Sequence, residues 1–115
     1  APDTDQTWQS FVGYVKDTIR SGNELYTAGK YSQASDYYAR RGYELKARFA
    51  ANISRFYGIN VQIILNNDVY RNRDYDFAST AWSQRNKFLE LQRTLETKTP
   101  LQIDEIELRI PAKNQ

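Results

Sequence analysis

The sequence has no cysteine, no histidine and no methionine among its 115 residues. Without cysteine the chain can form no disulfide, no thiolate nucleophile and no iron–sulfur site. Without histidine it lacks the usual general base near pH 7 and the commonest metal ligand, so Ser–His–Asp and Cys–His catalysis are excluded within this chain. Because zinc, haem and copper sites depend on the same side chains, we expect no metal and no cofactor.

The missing methionine also bears on the expected compartment. The sequence opens with a small residue followed by proline, Ala1-Pro2, as many mature proteins do after removal of a signal peptide. We therefore expect a secreted or periplasmic protein, with a trimmed N-terminus as the alternative.

Long apolar runs are absent as well, and the longest candidate, residues 61–65, is far shorter than the ~20 residues of a membrane span. Hydrophobic residues make up 40% and charged residues 26% of the chain, which is typical of a globular protein. No linker or convincing repeat divides the sequence. We expect one helical domain over residues 1–115, with residues 111–115 as a frayed tail.

The net charge of +2 is small but unevenly distributed. Residues 30–93 carry eleven basic and six acidic side chains, and arginine dominates the basic set. The acidic residues in this stretch and the lack of a recognisable motif argue against nucleic-acid binding.

Three segments have the apolar spacing of amphipathic helices. The first begins after Thr4 or Asp5 and ends at Gly29. Residues 21–23 could interrupt this helix. The second is a long central helix over residues 32–57, which Gly58 terminates. The third runs from residue 77 to 97, with Asp76 as its cap.

Two further segments are ambiguous. Residues 59–65 alternate like a half-buried strand but also fit a short helix, which we favour because an isolated hairpin needs further strands. Residues 101–110 alternate apolar and charged side chains, a strand pattern. The predicted fold is mainly α, a small helical bundle with a long central helix and a C-terminal strand. The alternatives are an α+β fold with strands 59–65 and 101–110 paired, or pairing of 101–110 with a partner protein.

Residues 22–38 contain a Gly-Asn pair, a Gly-x-Tyr turn, an alanine three residues on and a tyrosine pair, at Gly22-Asn23, Gly29, Tyr31, Ala34 and Tyr37-Tyr38. This stretch resembles the centre of a tetratricopeptide repeat, a helix–turn–helix unit. The sequence departs from that pattern at Thr18 and Arg41, has Lys46 in place of the closing proline, and shows no second copy. The resemblance implies a helical hairpin and a protein- or peptide-binding scaffold.

The second segment carries more aromatic and basic side chains than one core can bury. We predict a partner-binding face of Tyr37, Arg40, Arg41 and Arg48, because tyrosine and arginine are enriched at interface hot spots. The alternative is a solvated helix face whose long side chains snorkel.

A second candidate site is a loop in which charges of both signs alternate with tyrosine. Tyr70, Arg71, Arg73 and Tyr75 could grip a carboxylate, a sulfate or a sugar; the alternative is a polar connection between helices. The loop's resemblance to a calcium site fails, because Phe77 stands where glycine is required.

No local pattern pairs two carboxylates for hydrolysis, although an Arg-clamped site such as Arg41, Glu44 and Arg48 could catalyse a rearrangement by electrostatics alone. The sequence therefore predicts a non-enzymatic helical interaction module, exported, and a subunit of a larger assembly. Its expected partner is another protein or peptide, or a second copy of itself. The alternative function is binding of a small anionic ligand or polysaccharide through the tyrosine and arginine side chains.

Overall fold

The computed structural model describes residues 7–65 and 76–98, and these residues are mainly helical with no strand among them. In chain order the helices are α1 (Trp8–Thr27), α2 (Tyr31–Arg48), α3 (Ala50–Tyr57), α4 (Val61–Ile64) and α5 (Phe77–Thr97). The mainly α class expected from the sequence is confirmed for this part of the chain.

Helix α1 is capped at both ends by local hydrogen bonds. Thr7, rather than Thr4 or Asp5, is its N-cap: the Ser10 amide donates to Thr7 Oγ1 at 3.2 Å and the Thr7 amide donates to Ser10 Oγ at 2.8 Å. At the C-terminal end Gly29 has a φ of 80°, and the Lys30 amide donates to the Leu25 carbonyl at 2.9 Å. This is a Schellman termination, which needs a glycine in the left-handed region, and it confirms Gly29 as the stop.

Helices α1, α2 and α5 form a three-helix bundle. The Trp8 indole Nε1 donates to the Leu95 carbonyl at 3.0 Å, and the ring centroids of Tyr26 and Trp82 lie 5.6 Å apart. The start of α1 therefore lies beside the end of α5, and the two run antiparallel. Because the tight turn after α1 reverses the chain, α2 and α5 run in the same direction, with Tyr38 of α2 against Phe88 of α5.

Every helix contributes to one apolar core. The buried hydrophobic residues are Phe11, Val12, Val15, Ala34, Tyr38, Leu45, Phe49, Ile53, Tyr57, Ile59, Val61, Leu65, Ala81, Phe88, Leu91 and Leu95. The apolar spacing that predicts the third helix, residues 77–97, includes Trp82, whereas its side chain is 46% exposed. Leu91 and the polar Gln84 are buried on α5 instead.

The closest approach of α1 to α2 is at Gly22, which is buried against the ring of Tyr38. A Cβ atom added to Gly22 would lie 2.6 Å from the Tyr38 hydroxyl oxygen and closer still to the ring carbons. No side chain fits this position unless Tyr38 moves. Helix α1 passes through Gly22 without the break considered at residues 21–23, because the contact with Tyr38 outweighs the low helix propensity of glycine.

The prediction of one central helix over residues 32–57 is wrong at Phe49. This residue separates α2 from α3, with a φ of −119° against about −63° in an α-helix. Its ring is buried, 5.5 Å from Phe11 and 5.3 Å from Tyr14 between ring centroids. Spacing along one helix carries no information about this contact with α1.

The alternative of a strand at residues 59–65 is also wrong. The Asn60 side chain caps α4 by accepting from the Ile63 amide at 3.2 Å, and Val61 and Leu65 are buried one turn apart. The paired-strand α+β alternative loses one of its two strands as a result. The predicted C-terminal strand, residues 101–110, and the predicted frayed tail, 111–115, lie outside the described residues.

None of the helices in residues 7–65 and 76–98 combines the length and the apolar character that a membrane crossing requires.

The Gly22 contact predicts opposite effects for two buried helix glycines. Gly22→Ala should lower the free energy of unfolding by about 1–3 kcal/mol, as overpacking of a core does. Gly42→Ala is the matched control: its added Cβ would lie 3.6 Å from Phe88, an ordinary contact, so better helix propensity should raise stability by about 0.5–1 kcal/mol. Urea denaturation measures both. Equal effects of the two substitutions would contradict the close approach at Gly22.

Candidate interaction site

Arg41, a member of the predicted partner-binding face, makes hydrogen bonds within the protein at the α1–α2 interface. Its Nε donates to Thr18 Oγ1 at 2.8 Å and its Nη2 donates to the Tyr14 carbonyl at 3.2 Å. Its guanidinium carbon lies 3.7 Å from the centroid of the Tyr14 ring, a cation–π contact. The two departures from the repeat pattern, Thr18 and Arg41, are thus each other's partners across the α1–α2 interface.

Tyr14 completes this polar group. Its hydroxyl lies 3.1 Å from the Arg41 carbonyl oxygen and 3.2 Å from Glu44 Oε1. Burial raises the pKa of Tyr14 to about 12; Arg41 opposes this rise and Glu44 adds to it. The cluster of Arg41, Glu44 and Arg48 considered for catalysis therefore has two members engaged in holding α1 against α2.

The other members of the predicted partner-binding face lie further out on α2. Arg40 and Arg48 are exposed and Tyr37 is half-buried. The guanidinium carbon of Arg40 lies 5.6 Å from the Tyr37 ring centroid, and that of Arg48 lies 4.9 Å from the Phe49 ring. These residues lie on one face of α2, and their role in binding stays a prediction. The second predicted site, Tyr70, Arg71, Arg73 and Tyr75, lies outside the described residues.

Two concave surface features lie at the other end of α2, where the α1–α2 turn meets the start of α5. One is a depression of about 670 Å³ between Tyr26 of α1 and one side of α5, where it is lined by Ala78, Ser79, Trp82, Ser83 and Asn86. Its lining combines two aromatic rings with neutral hydroxyl and amide groups.

A second depression of about 660 Å³ adjoins the first and shares Ala78 with it. It lies between the α1–α2 turn and the first residues of α5, and its lining consists of Gly29, Lys30, Tyr31, Ser32, Gln33, Asp76, Phe77 and Ala78. We call the two adjoining depressions the aromatic trough.

Large aromatic side chains are exposed along the trough. Tyr31 is 41%, Trp82 46% and Phe77 57% exposed. Tyr26 connects them, since its ring centroid lies 4.9 Å from that of Tyr31 and 5.6 Å from that of Trp82. On α5, the Arg85 guanidinium lies 4.6 Å from the Trp82 ring centroid and helps to hold the indole in place.

Sequence reasoning did not identify the trough. The sequence pattern identified Gly29 and Tyr31 as turn residues, and the spacing of Trp82 matched a core position. The missing information is the parallel course of α2 and α5, which brings residues 26–33 beside residues 76–86. Within the described ranges, no group of three or more acidic, histidine or cysteine side chains could hold a metal ion.

Tyr38 provides a contrast with Tyr14 that leads to a prediction. Its hydroxyl is buried and has no hydrogen-bond partner among the described residues. Burial raises the pKa of Tyr38 to about 12, and the charge of Arg85 opposes that rise. A folded-state pKa above the unfolded value of about 10 means that folding favours the neutral phenol. The corresponding stability is complete below pH 10 and is lost as the pH rises towards 12.

Tyr38→Phe should leave stability unchanged or raise it by up to about 1 kcal/mol, because it removes a buried hydroxyl without a partner. It should also reduce the loss of stability between pH 10 and 12. Tyr14→Phe is the comparison and should cost about 1 kcal/mol at pH 7, since its hydroxyl is hydrogen-bonded. Urea denaturation at pH 7, 10 and 11.5 measures both variants. A larger loss at pH 7 for Tyr38→Phe than for Tyr14→Phe would refute this account of the two hydroxyls.

The double-mutant cycle of Thr18→Val and Arg41→Met tests the α1–α2 pair. Each single substitution should cost about 1–3 kcal/mol, because it leaves a part-buried polar partner unsatisfied. The double variant should cost less than their sum, with a coupling of about 1–2 kcal/mol. Additive losses in urea denaturation would show that the two side chains do not depend on each other.

Comparison of this chain with protein-family models, with curated proteins and with solved structures gave no match. Its function is accordingly inferred from the chemistry and geometry of its own residues.

Proposed function

We propose that the protein is a non-enzymatic interaction module that binds a segment of another protein in the aromatic trough. The observation that carries the proposal is the exposure of Tyr31, Phe77 and Trp82 along two adjoining depressions. Such grouped aromatic exposure is typical of binding surfaces, since covering these side chains in a complex removes a large apolar area from water.

The lining of the trough favours a peptide segment. Trp82 and Tyr31 are residue types that dominate interface hot spots. Ser79, Ser83 and Asn86 line the same depression as Trp82, and their hydroxyl and amide groups can hydrogen-bond to the backbone of an extended chain. The resemblance of residues 22–38 to a tetratricopeptide repeat supports the same kind of partner.

The proposal is for binding rather than catalysis because of the trough's titratable groups. Its carboxylate is that of Asp76, which accepts a hydrogen bond from the Ser79 amide at 2.7 Å. That bond to the Ser79 amide, with a second from the Ser79 hydroxyl, lowers the pKa of Asp76. A general acid or base near neutral pH requires the opposite shift in a carboxyl group. The expectations of export and of membership in a larger assembly stay predictions.

Trp82→Ala tests the proposal, with Tyr43→Ala as the matched control. Tyr43 is an aromatic residue of α2, 71% exposed and outside the trough. The full chain and each variant are immobilised and exposed to an extract of the native source, and retained proteins are identified by mass spectrometry. We expect proteins retained by the full chain and by Tyr43→Ala to be lost with Trp82→Ala, since a hot-spot truncation costs at least about 2 kcal/mol.

Thermal unfolding shows whether Trp82→Ala is still folded, which its partial exposure predicts. Retention of the same proteins by Trp82→Ala as by the full chain would contradict the trough as the binding surface. Retention of the chain's own copies alone would also contradict the proposal and would indicate self-association.

A further inference from the structure

The charged side chains that line the aromatic trough belong to its second depression. Lys30 is exposed at the α1–α2 turn and lines this depression together with Asp76. The side chains that line the first depression are neutral, and Arg85, which contacts the Trp82 ring, is not among them. Lys30 and Asp76 therefore set the charge that an occupant of the trough would meet.

The start of α2 adds to the preference of the second depression for acidic groups. Lys30 is the N-cap of α2 and supplies no side-chain acceptor, while Tyr31, Ser32 and Gln33 of the first turn line the depression. First-turn amides have no acceptor within their own helix, and a helix N-terminus favours negative charge. This backbone contribution adds to the charge of Lys30 rather than standing alone.

The carboxylate of Asp76 does not cancel the positive charge of Lys30. Its carboxylate accepts from the Ser79 amide and is the N-cap of α5, so its charge is balanced by the N-terminal end of that helix. Lys30 has no corresponding acidic partner among the ion pairs of the described residues.

The spacing of the aromatic rings limits the length of chain needed to bridge the two depressions. The ring centroids of Tyr31 and Trp82 each lie within 6 Å of that of Tyr26, so they are no further apart than these two distances together. An extended chain advances about 3.3 Å per residue. At most about three residues of extended peptide therefore separate a group beside Tyr31 from a group beside Trp82.

We infer that the occupant of the trough is an acidic, extended segment of a partner protein. Its Asp or Glu carboxylate pairs with Lys30 and the first-turn amides of α2, and a large apolar side chain within about three positions of it packs on Trp82 and Tyr26. This inference rests on the proposed function and adds the charge and spacing of the bound segment.

Selection from a library of random twelve-residue peptides displayed on phage, with the full chain as bait, tests this chemistry. Peptides that also bind Trp82→Ala are removed by counter-selection. We expect the remaining sequences to be enriched in Asp or Glu within about three positions of a large apolar residue. With Lys30→Glu as bait, we expect Lys or Arg to replace the acidic residue. Lys98→Glu makes the same change of charge at an exposed lysine outside the trough and should leave the selected sequences unchanged.

Fluorescence anisotropy with one selected peptide then measures the contribution of its carboxylate. Replacing the acidic residue by its amide should weaken binding to the full chain about three- to tenfold, in the range of a charged pair at an interface rim. The same replacement should not weaken binding to Lys30→Glu.

The outcomes separate this inference from the proposed function. Peptides that depend on Trp82 but show no preference for acidic residues would overturn the inference and leave the proposed function standing. Acidic peptides that respond equally to Lys30→Glu and Lys98→Glu would overturn it too, because long-range charge would then suffice. Recovery of no peptide that depends on Trp82 would overturn both proposals.

Discussion

The contact between Tyr38 and the backbone of Gly22 sets the spacing of the whole bundle. The tyrosine ring occupies the space that any side chain at position 22 would need, so the two helices can pack this tightly at this point only because residue 22 is glycine. On α5, the Phe88 ring centroid lies 5.7 Å from that of Tyr38. One aromatic ring thereby fixes the positions of three helices. The Tyr38 hydroxyl is buried without a partner among the described residues, which indicates how strongly the shape of the side chain determines the residue at this position.

A polar contact lies about one helical turn from the contact between Tyr38 and Gly22. Arg41 and Thr18 meet between the same two helices, and Tyr14 lies under the guanidinium. A half-buried arginine is costly unless its donors and its planar face are all occupied. Here hydrogen bonds to Thr18 and to the Tyr14 carbonyl satisfy two of its donors, and the Tyr14 ring covers its face. The arrangement specifies the pairing of α1 with α2.

The parts of the fold that follow from local chemistry were predictable from the sequence. Asp76 and the glycines at 29 and 58 marked helix ends, since a capping carboxylate and left-handed glycines act within a few residues. The break at Phe49 was not predictable, because its cause is packing against α1. Trp82 was misassigned for a related reason: its spacing matches a core position, but the neighbouring ring of Tyr26 holds it at the surface. The trough brings together residues about 50 positions apart in sequence, and only the parallel course of α2 and α5 reveals it.

The trough in turn depends on the Gly22 contact. Tyr26 lies one turn after Gly22 on α1, and the same approach of the helices brings it against Tyr31 and Trp82. The most direct measurement is a nuclear Overhauser experiment on the full chain in solution. The account predicts cross-peaks between the Hα protons of Gly22 and the ring protons of Tyr38, with the Gly22 resonances displaced by the ring current. Gly22 Hα protons at random-coil positions, without contacts to Tyr38, would contradict it.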